Sequence, residues 1–452
     1  MELGEEQQEA VQAIKDFLNN SKELAFLLQG PGGTGKTTVS KAVCMYLDEI
    51  GKDYVLTAPT HKAKLVLSKA SDMPAITLHK LFNLKPEIEI WNFDARDLTF
   101  KKDNKVVLPK NGLIICDEGS MINDTMYDFL ISMCIKHDCK VLFMADKAQL
   151  SPVQSNSTYS KIFNTPLQFT LTKIYRQEND NALAPILDKL RKEPIDTITS
   201  KKGITGSIYC TNNIKQFLIS ARDAFIKAIK DKDILETKIT AFTNDRVAAY
   251  NEVLRAFLFG NDSPEYVTHE FLTAYDNIDN GFLEIYNSMD YIIDSAEKTI
   301  KNIPHFKELP GWDLRLYDSS NDFYNDIFIL SRDIEPEVIT DLADLLDNYR
   351  KKALMAKRYG NRRQSGMLWG QFFDILQSFT TPVDIINSEG YCMKRKTFDY
   401  GYACTTHKLQ GTTLNTIYVD MNNINRVKDP KARRQLQYVA LSRTKTDAYI
   451  FQ

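Results

Sequence analysis

Residues 30–37 read Gly-Pro-Gly-Gly-Thr-Gly-Lys-Thr, between an apolar run at 24–28 and a segment of helical pattern that continues to Ile50. Glycines let such a loop turn its N–H groups inward, and a helix start adds positive potential, so the pattern predicts a polyphosphate cradle. Lys36 is placed to reach the terminal phosphates and Thr37 to bind Mg²⁺. The spacing therefore predicts an ATP or GTP site.

Two adjacent carboxylates, Asp117 and Glu118, end the apolar run 113–116. At the C-terminal edge of a parallel sheet, both would face the nucleotide crevice. Asp117 is placed to hold Mg²⁺ through its water shell, and Glu118 to polarise the attacking water. Gln149 lies in the polar exit of a further strand, where it is placed to contact the γ-phosphate. Together these residues predict nucleotide hydrolysis.

Short apolar runs bounded by turn residues predict the strands that carry these groups. The first set is 24–28, 54–58, 113–116 and 141–144, and the second set is 239–242, 400–404, 416–419 and 449–451. Helical pattern lies between successive runs, which is typical of a doubly wound parallel sheet. We therefore expect an α/β protein with two such sheets.

Two segments interrupt this alternation. Between 84 and 111 the pattern changes: residues 87–91 alternate by two, and a polar turn at 102–105 precedes an apolar run at 106–108, which predicts an inserted β-hairpin. Residues 264–398 look like a longer insertion, strand-like at 282–293 and helical at 335–378. Within it, residues 350–363 include seven basic side chains and no acidic one. A solvated helical face and contact with a phosphate backbone are both open for this segment.

The length and charge of the chain limit its class. At 452 residues it exceeds what one core usually holds, so two or more domains are expected. The 57 basic and 59 acidic residues give a net charge of −2, so a nucleic-acid site must be a local patch.

Cysteine usage and hydropathy predict a soluble protein of the cytoplasm. Seven cysteines are scattered without a disulfide framework, which fits a reducing compartment. Cys134, His137 and Cys139 are close enough to suggest zinc, but no matching second pair lies near them, so zinc is disfavoured. The N-terminus is acidic and no run approaches the roughly 20 apolar residues of a membrane span, so no membrane partner is expected.

Nine short segments, taken in order, resemble the motifs of superfamily 1B DNA helicases of the Dda and RecD type. They are 30–37, 58–64, 77–80, 117–120, the segment around Gln149, 171–177, 241–244, 405–411 and 438–444. They cover nearly the whole chain, and nine in the right order are very unlikely by accident. The resemblance implies two RecA-like doubly wound parallel-sheet domains with ATP between them, each carrying an insertion.

The resemblance and the changes of pattern divide the chain into four parts. Residues 1–83 and 112–178 are expected to form the first RecA-like, ATP-binding domain, and 84–111 its β-hairpin, the strand-separating pin of the family. Residues 179–263 and 399–452 are expected to form the second RecA-like domain. Residues 264–398 are expected to be an SH3-like barrel with a helical extension.

The resemblance implies a nucleotide site that draws on both RecA-like domains. The implied catalytic residues are Lys36, Glu118, Gln149, Arg176 and Arg443. The implied ATP-binding residues are Gln7 on the adenine, Gly30, Gly32, Gly33, Thr34, Gly35, Lys36, Thr37, Thr38, Gln149, Arg176, Gly411 and Arg443. Thr37 and Asp117 are the implied Mg²⁺ ligands. Arg176 and Arg443 would clamp the γ-phosphate, and planar Arg donors match the charge that phosphoryl transfer spreads over equatorial oxygens.

Nucleic-acid contacts are implied at loops and helix starts. The residues are Pro59, Thr60, His61, Thr77, His79, Phe100, Thr406, His407 and Lys408. Hydroxyl, imidazole and N–H groups there suit phosphate oxygens without reading sequence. Phe100 aligns best with the strand-separating pin of the family, and packing in the core is the alternative role for its side chain. The family's Gly-Asp and Pro-Pro near Gln149 are Ala145-Asp146 and Ser151-Pro152 here.

The predicted function is that of an ATP-dependent DNA helicase that moves along single-stranded DNA and separates duplex strands. Its 5'-to-3' polarity is implied by resemblance alone. The expected partners are single-stranded DNA and single-strand/duplex junctions, for a chain that acts as a monomer. Partners among replication, repair or recombination proteins are left open, and so is a location in the host cytoplasm if a phage encodes the chain.

Three other functions are open at this point. One is a phosphate-loop kinase or GTPase, which has no use for two distant arginines. Another is a passive single-strand binding protein. The third is a translocase that remodels protein–DNA complexes without separating strands.

Overall fold

The computed structural model describes residues 3–82, 84–87, 99–102, 108–152, 159–174, 181–279 and 283–452. Two parallel sheets and one antiparallel sheet contain most of the strands in this part of the chain. None of the helices described is both long enough and apolar enough to cross a membrane.

Domain 1 is built on a six-stranded sheet. In chain order its elements, with the inserted hairpin β4–β5, are α1 (Glu5–Asn20), β1 (Ala25–Gln29), α2 (Lys36–Glu49), β2 (Tyr54–Ala58), α3 (His61–Ser71), β3 (Ala75–Thr77), α4 (Leu78–Leu81), β4 (Leu84–Glu87), β5 (Thr99–Lys102), β6 (Leu113–Cys116), α5 (Asp124–His137), β7 (Lys140–Ala145) and β8 (Leu167–Thr170). The sheet order is β3-β2-β6-β7-β1-β8, and all neighbours are parallel. The predicted doubly wound parallel sheet is therefore confirmed.

Alternation along β1 explains why this sheet is covered on both faces. Phe26 and Leu28 pack into the core on one side of the sheet, and Ala25 and Leu27 pack into the core on the other. Successive strand side chains point to opposite faces, so an unbroken apolar run is buried on both. The order of the strands brings the carboxyl ends of β1, β6 and β7 to one edge.

The hairpin β4–β5 stands apart from the six-stranded sheet. Its two strands pair antiparallel, with Leu84 opposite Lys102 and Glu87 opposite Thr99. An antiparallel pair therefore lies where the sequence predicts an inserted hairpin. The side chain of Phe100 lies outside the described part of the chain, so its use stays a prediction.

Domain 2 is built on a five-stranded parallel sheet that a long insertion interrupts. Its first elements are α6 (Ala184–Leu190), β9 (Ile208–Thr211), α7 (Ile214–Asp231), β10 (Thr237–Ala241) and α8 (Asn244–Phe259). The insertion contains β11 (Phe271–Ala274), β12 (Ile278–Asp279), β13 (Glu284–Ile285), β14 (Asp290–Asn302), β15 (Glu308–Asp318), β16 (Phe323–Leu330), α9 (Pro336–Arg358), α10 (Arg362–Gln377), β17 (Ile385–Ile386), β18 (Cys392–Lys394) and β19 (Phe398–Tyr400). Domain 2 resumes with β20 (Ala403–Thr405), β21 (Thr416–Asp420), α11 (Met421–Ile424), α12 (Pro430–Ser442) and β22 (Ala448–Phe451).

The two sheets of this half have different architectures. Domain 2 has the order β20-β10-β21-β22-β9 with parallel neighbours. The insertion has the antiparallel order β16-β15-β14-β11-β19, and α9 and α10 pack over a core of their own. The expected limit between residues 398 and 399 divides β19, which pairs with β11 and so belongs to the insertion sheet.

Candidate nucleotide site between the two domains

The phosphate loop connects β1 to α2 as the sequence predicts. Gly35 has φ 83° and caps α2, which begins at Lys36. A side chain at Gly35 would collide with the amide of Gln7, whose Nε2 donates to the Thr34 carbonyl at 3.1 Å. The loop and the first turn of α2 thus contain the residues implied to bind phosphate, which are 30 and 32–38. Gln7 lies directly against them, and its contact with adenine stays a prediction.

Lys36 is folded back over its own loop. Its Nζ donates to the carbonyls of Gly30 at 2.7 Å and Pro31 at 3.0 Å. Burial lowers the pKa of Lys36, and among the charges opposing that shift the carboxylate of Asp146 is the largest, followed by Asp117. A buried ammonium near two carboxylates suits an anionic phosphate, which would give it a full partner.

The two carboxylates after β6 have separate environments. Asp117 accepts a hydrogen bond from the Glu118 N–H at 2.8 Å. Burial, together with the charge of Glu118 and against that of Lys36, raises the pKa of Asp117 to about 6. Glu118 has φ 50°, a left-handed conformation that is uncommon outside glycine and is often found at functional sites.

The site suits a cation that takes most of its ligands from the substrate. The described residues contain no group of three or more His, Cys, Asp or Glu side chains able to hold a metal ion. Mg²⁺ usually binds one or two protein oxygens, waters and substrate phosphates. A buried carboxylate such as Asp117 at the end of β6 fits that requirement, because a bound cation would favour its ionised form.

Arg443 brings domain 2 into the site. It follows α12 as its C-terminal cap, and its Nη1 donates to Glu118 Oε1 at 3.5 Å. Its Nε and Nη2 are buried and have no hydrogen-bond partner among the described residues. Unpaired buried donors are costly, so this guanidinium is suited to an anion that enters the cleft.

Gln149 lies at the same junction. Its backbone carbonyl accepts a hydrogen bond from Gln435 Nε2 of α12 at 2.7 Å. Its side-chain Oε1 is buried and lacks a partner within the described residues. Ala148 and Leu150, on either side of it, pack in the same core cluster as Leu187 of domain 2. The segment around Gln149, which belongs to domain 1, thus packs against domain 2.

A cavity of about 600 Å³ opens where the domains meet. Pro31 and Gly32 of the phosphate loop line it from domain 1, and Gly411 and Ser442 line it from domain 2. Gly411 has φ 74°, and a Cβ there would sit 3.3 Å from the backbone of Ala63 of domain 1. Glycine therefore permits the close approach of the two domains at this cleft.

Most of the implied nucleotide-site residues come together in this structure. The exception is Arg176, which lies outside the described residues, so its role stays a prediction. The sequence reasoning did not identify Arg191, Gln435 or Tyr438, which also join the domains at this cleft. Tyr438 opens the motif segment 438–444, but Arg191 and Gln435 lie in no motif segment, and the partners of all three lie far away along the chain.

Several residues implied to bind nucleic acid lie at helix starts. The hydroxyl of Thr60 caps α3 by accepting from the Ala63 N–H at 3.2 Å. The hydroxyl of Thr77 caps α4 in the same way through Lys80 at 3.2 Å. Pro59 immediately precedes the first cap, and His79 lies in α4. These positions suit phosphate contact through N–H groups, and the contact itself stays a prediction.

His61 contacts the insertion of domain 2 directly. Its ring stacks on Tyr286 with centroids 3.7 Å apart and an interplanar angle of 13°. Burial, with a smaller effect of the Lys64 charge, lowers the pKa of His61 to about 4. The next residue, Lys62, donates to the Ser288 carbonyl at 3.1 Å. The start of α3 is therefore covered by the insertion.

The implied contacts in the 3₁₀ turn 406–409 are also covered. Thr406 is fully buried, with its hydroxyl 3.1 Å from that of Thr240. Lys408 Nζ lies 3.2 Å from the ring centroid of Tyr275 and has no hydrogen-bond partner in the described chain. Burial lowers the pKa of Lys408 to about 7 and also lowers that of His407. An entering phosphate would restore a partner to Lys408.

The basic segment 350–363 divides into paired and unpaired residues. Arg350 and Lys351 form ion pairs with Asp347 at 2.6 and 2.8 Å, so they belong to the α9 surface. The other basic residues of the segment are exposed: Lys352, Lys357, Arg358, Arg362 and Arg363. The paired residues favour the solvated-face interpretation for the start of the segment.

Comparisons with known proteins find DNA helicases among the proteins that are similar to this chain. A family model described as an AAA domain matches residues 2–213. The ATP-dependent DNA helicase dda of Enterobacteria phage T4 is 26% identical over 477 aligned positions that cover 99% of each chain. The ATP-dependent RecD2 DNA helicase of Deinococcus radiodurans is 29% identical over 157 positions, 35% of this chain and 20% of that one. A crystal structure of Pif1 helicase from Candida albicans overlaps the whole chain and 94% of its own at a TM-score of 0.49 and 15% identity.

Proposed function

We propose that this chain, which is similar to superfamily 1B helicases of the Dda and RecD type, hydrolyses ATP to move along single-stranded DNA. It separates duplex strands as it moves, in the 5'-to-3' direction. The observation that carries the proposal is the contact of Arg443, from domain 2, with Glu118 of domain 1. A hydrolytic carboxylate that meets an arginine of another domain makes ATP turnover sensitive to the distance between the domains.

Each of the following residues of the cleft has its own role in ATP hydrolysis. Lys36 leaves the carbonyls of its loop and binds the terminal phosphates of ATP. Glu118 accepts the proton of the attacking water. Arg443, together with Arg176, stabilises the charge that develops on the γ-phosphoryl group. Thr37 and Asp117 would hold Mg²⁺, which would supply neutralisation of the phosphate charge.

Alternating closure of this cleft converts turnover into motion. ATP draws the domains together because Lys36 and Gln149 belong to one and Arg443 to the other. Hydrolysis and phosphate release remove that bridge, and the domains part. If the grips of the two domains on DNA alternate, each cycle becomes a step. Opening one base-pair step costs about 1.4 kcal/mol on average, which repeated turnover can supply.

The first experiment measures ATP hydrolysis with and without single-stranded DNA. We expect strong stimulation by DNA. A kinase or GTPase would show none, and a passive single-strand binding protein would bind DNA with negligible turnover. Either result would reject the proposal.

The second experiment measures strand separation on duplexes with a 5' or a 3' single-stranded tail, with ATP present and absent. We expect unwinding of the 5'-tailed duplex only when ATP is present. DNA-stimulated turnover without unwinding of either duplex would favour the translocase that remodels protein–DNA complexes. Unwinding of the 3'-tailed duplex alone would reject the polarity.

We expect Phe100→Ala to reduce unwinding more than DNA-stimulated ATP hydrolysis. The residue lies in β5 of the hairpin β4–β5, and a base stacked on an aromatic ring gains about 1 to 3 kcal/mol. The measurement compares both rates in one preparation. The control is Phe323→Ala, because Phe323 is an exposed aromatic on a strand of the insertion. Equal loss of both rates in the Phe100 variant would remove the pin assignment.

A further inference from the structure

A carboxylate of domain 1 is bound by side chains of domain 2. Asp146 follows β7 and is 1% exposed. Arg191 Nη1 donates to both of its oxygens, at 3.0 and 3.1 Å, and the Tyr438 hydroxyl donates to Oδ2 at 2.7 Å. Arg191 Nη1 also lies 2.9 Å from the Tyr438 hydroxyl. Within domain 1, the Ala148 N–H donates to Asp146 Oδ1 at 3.0 Å. We call Asp146, Arg191 and Tyr438 the interdomain triad.

Separation of the domains removes both side-chain partners of Asp146. Breaking a buried charged hydrogen-bond network leaves an uncompensated charge, which is strongly unfavourable until water enters. The triad therefore stabilises the joined arrangement of the domains. Its contribution is lost as soon as α12 withdraws.

The triad is continuous with the catalytic groups through α12. This helix and its C-terminal cap contact domain 1 at several positions: Gln435 reaches the carbonyl of Gln149, Tyr438 reaches Asp146, and Arg443 reaches Glu118. A helix is rigid along a few turns, so fixing Tyr438 restricts where Arg443 can lie.

The triad also adjoins the phosphate side of the cleft. Arg191 and Tyr438 line the same cavity as Pro31 and Gly32 of the phosphate loop. Of the carboxylates that oppose the lowering of the Lys36 pKa by burial, Asp146 has the largest effect, ahead of the two that follow β6.

We propose that Asp146, Arg191 and Tyr438 are positioning residues that couple domain closure to ATP hydrolysis, an inference that rests on the proposed function. In the joined state the triad seats α12 so that Arg443 reaches the γ-phosphate. In the parted state Asp146 loses both side-chain partners, and α12 no longer holds Arg443 at the cleft. ATP binding and domain closure therefore favour one another.

Domain 2 contains a matched control for this triad. Arg246 Nε donates to Asp420 Oδ2 at 2.7 Å, and the Tyr250 hydroxyl donates to the same oxygen at 2.7 Å. Both triads thus join an arginine and a tyrosine to a buried aspartate. The control triad lies entirely within domain 2, so its loss affects stability without touching the cleft.

The experiment compares Tyr438→Phe with Tyr250→Phe in the full chain. Each removes one hydroxyl that donates to a buried carboxylate. We expect Tyr438→Phe to lower the DNA-stimulated kcat by about 2- to 30-fold, as typical coupling energies imply, with less change in KM for ATP. Tyr250→Phe should leave kcat within about 2-fold of the wild type while lowering Tm comparably. Arg191→Lys should retain more activity than Arg191→Met.

A second measurement does not depend on activity. Amide hydrogen exchange of residues 146–150 in the DNA-free protein should be faster in Tyr438→Phe than in the wild type, and unchanged in Tyr250→Phe. Unchanged exchange in the Tyr438 variant, or equal loss of kcat in both variants, would overturn the triad proposal while the helicase proposal stands. A wild type that DNA does not stimulate would instead reject the proposed function, and the exchange result would still decide whether the triad joins the domains.

Discussion

Glu118→Gln is expected to bind ATP with nearly unchanged affinity and to hydrolyse it about 10²- to 10⁴-fold more slowly than the wild type. The amide has the shape of the carboxylate but cannot accept the proton of the attacking water. The substitution also removes the charged partner of Arg443, whose Nη1 lies 3.5 Å from Glu118 Oε1 in the wild type. Single-turnover hydrolysis on saturating single-stranded DNA measures the chemical step, and a fluorescent ATP analogue measures binding.

The control for this variant is Glu308→Gln, at an exposed glutamate of β15 in the insertion. It makes the same change of charge away from the cleft, so its turnover should equal that of the wild type. Loss of ATP binding in Glu118→Gln, with the chemical step unchanged, would contradict the assignment of Glu118 as general base.

Lys36→Ala is expected to abolish measurable ATP turnover while much of the DNA binding remains. The Lys36 ammonium is buried at the start of α2, and among the described residues its hydrogen bonds go to carbonyls of its own loop. Removing one preorganised donor at a transferring group typically costs about 10²- to 10³-fold in rate, and here ground-state binding of ATP is lost as well. Steady-state hydrolysis and fluorescence anisotropy with a labelled oligonucleotide measure the two properties.

Lys41→Ala is the matched control, because Lys41 lies on the same helix and outside the phosphate loop. It should hydrolyse ATP at the wild-type rate. Near-normal turnover in Lys36→Ala would reject the phosphate-loop assignment. Equal loss of DNA binding and turnover would point instead to a folding defect.

Much of the fold was predictable because its signals are local. The glycines of 30–37, the carboxylates after β6 and the short apolar runs each depend on neighbouring residues, and they locate β1, α2 and β6 correctly. The two parallel sheets followed from the same alternation. The expected limit between the insertion and domain 2, at residues 398 and 399, was less accurate, because the pairing of β19 with β11 is a contact between distant segments.

The joint between the domains could not be predicted in the same way. Arg191 lies in no motif segment, and Tyr438 was included only as the first residue of the segment 438–444. The folded chain brings both to Asp146. The sequence likewise gave no sign that Thr406 is buried or that His61 stacks on Tyr286. Such contacts depend on how whole domains pack against each other, and the hydrophobic periodicity of a local segment does not encode that packing.

The most direct test of the account is a structure of the protein with a non-hydrolysable ATP analogue, Mg²⁺ and single-stranded DNA. The account predicts that the Arg443 guanidinium leaves Glu118 and contacts the terminal phosphate, which Lys36 binds from the other domain. A nucleotide held by domain 1 alone, with Arg443 directed away from the cleft, would contradict it.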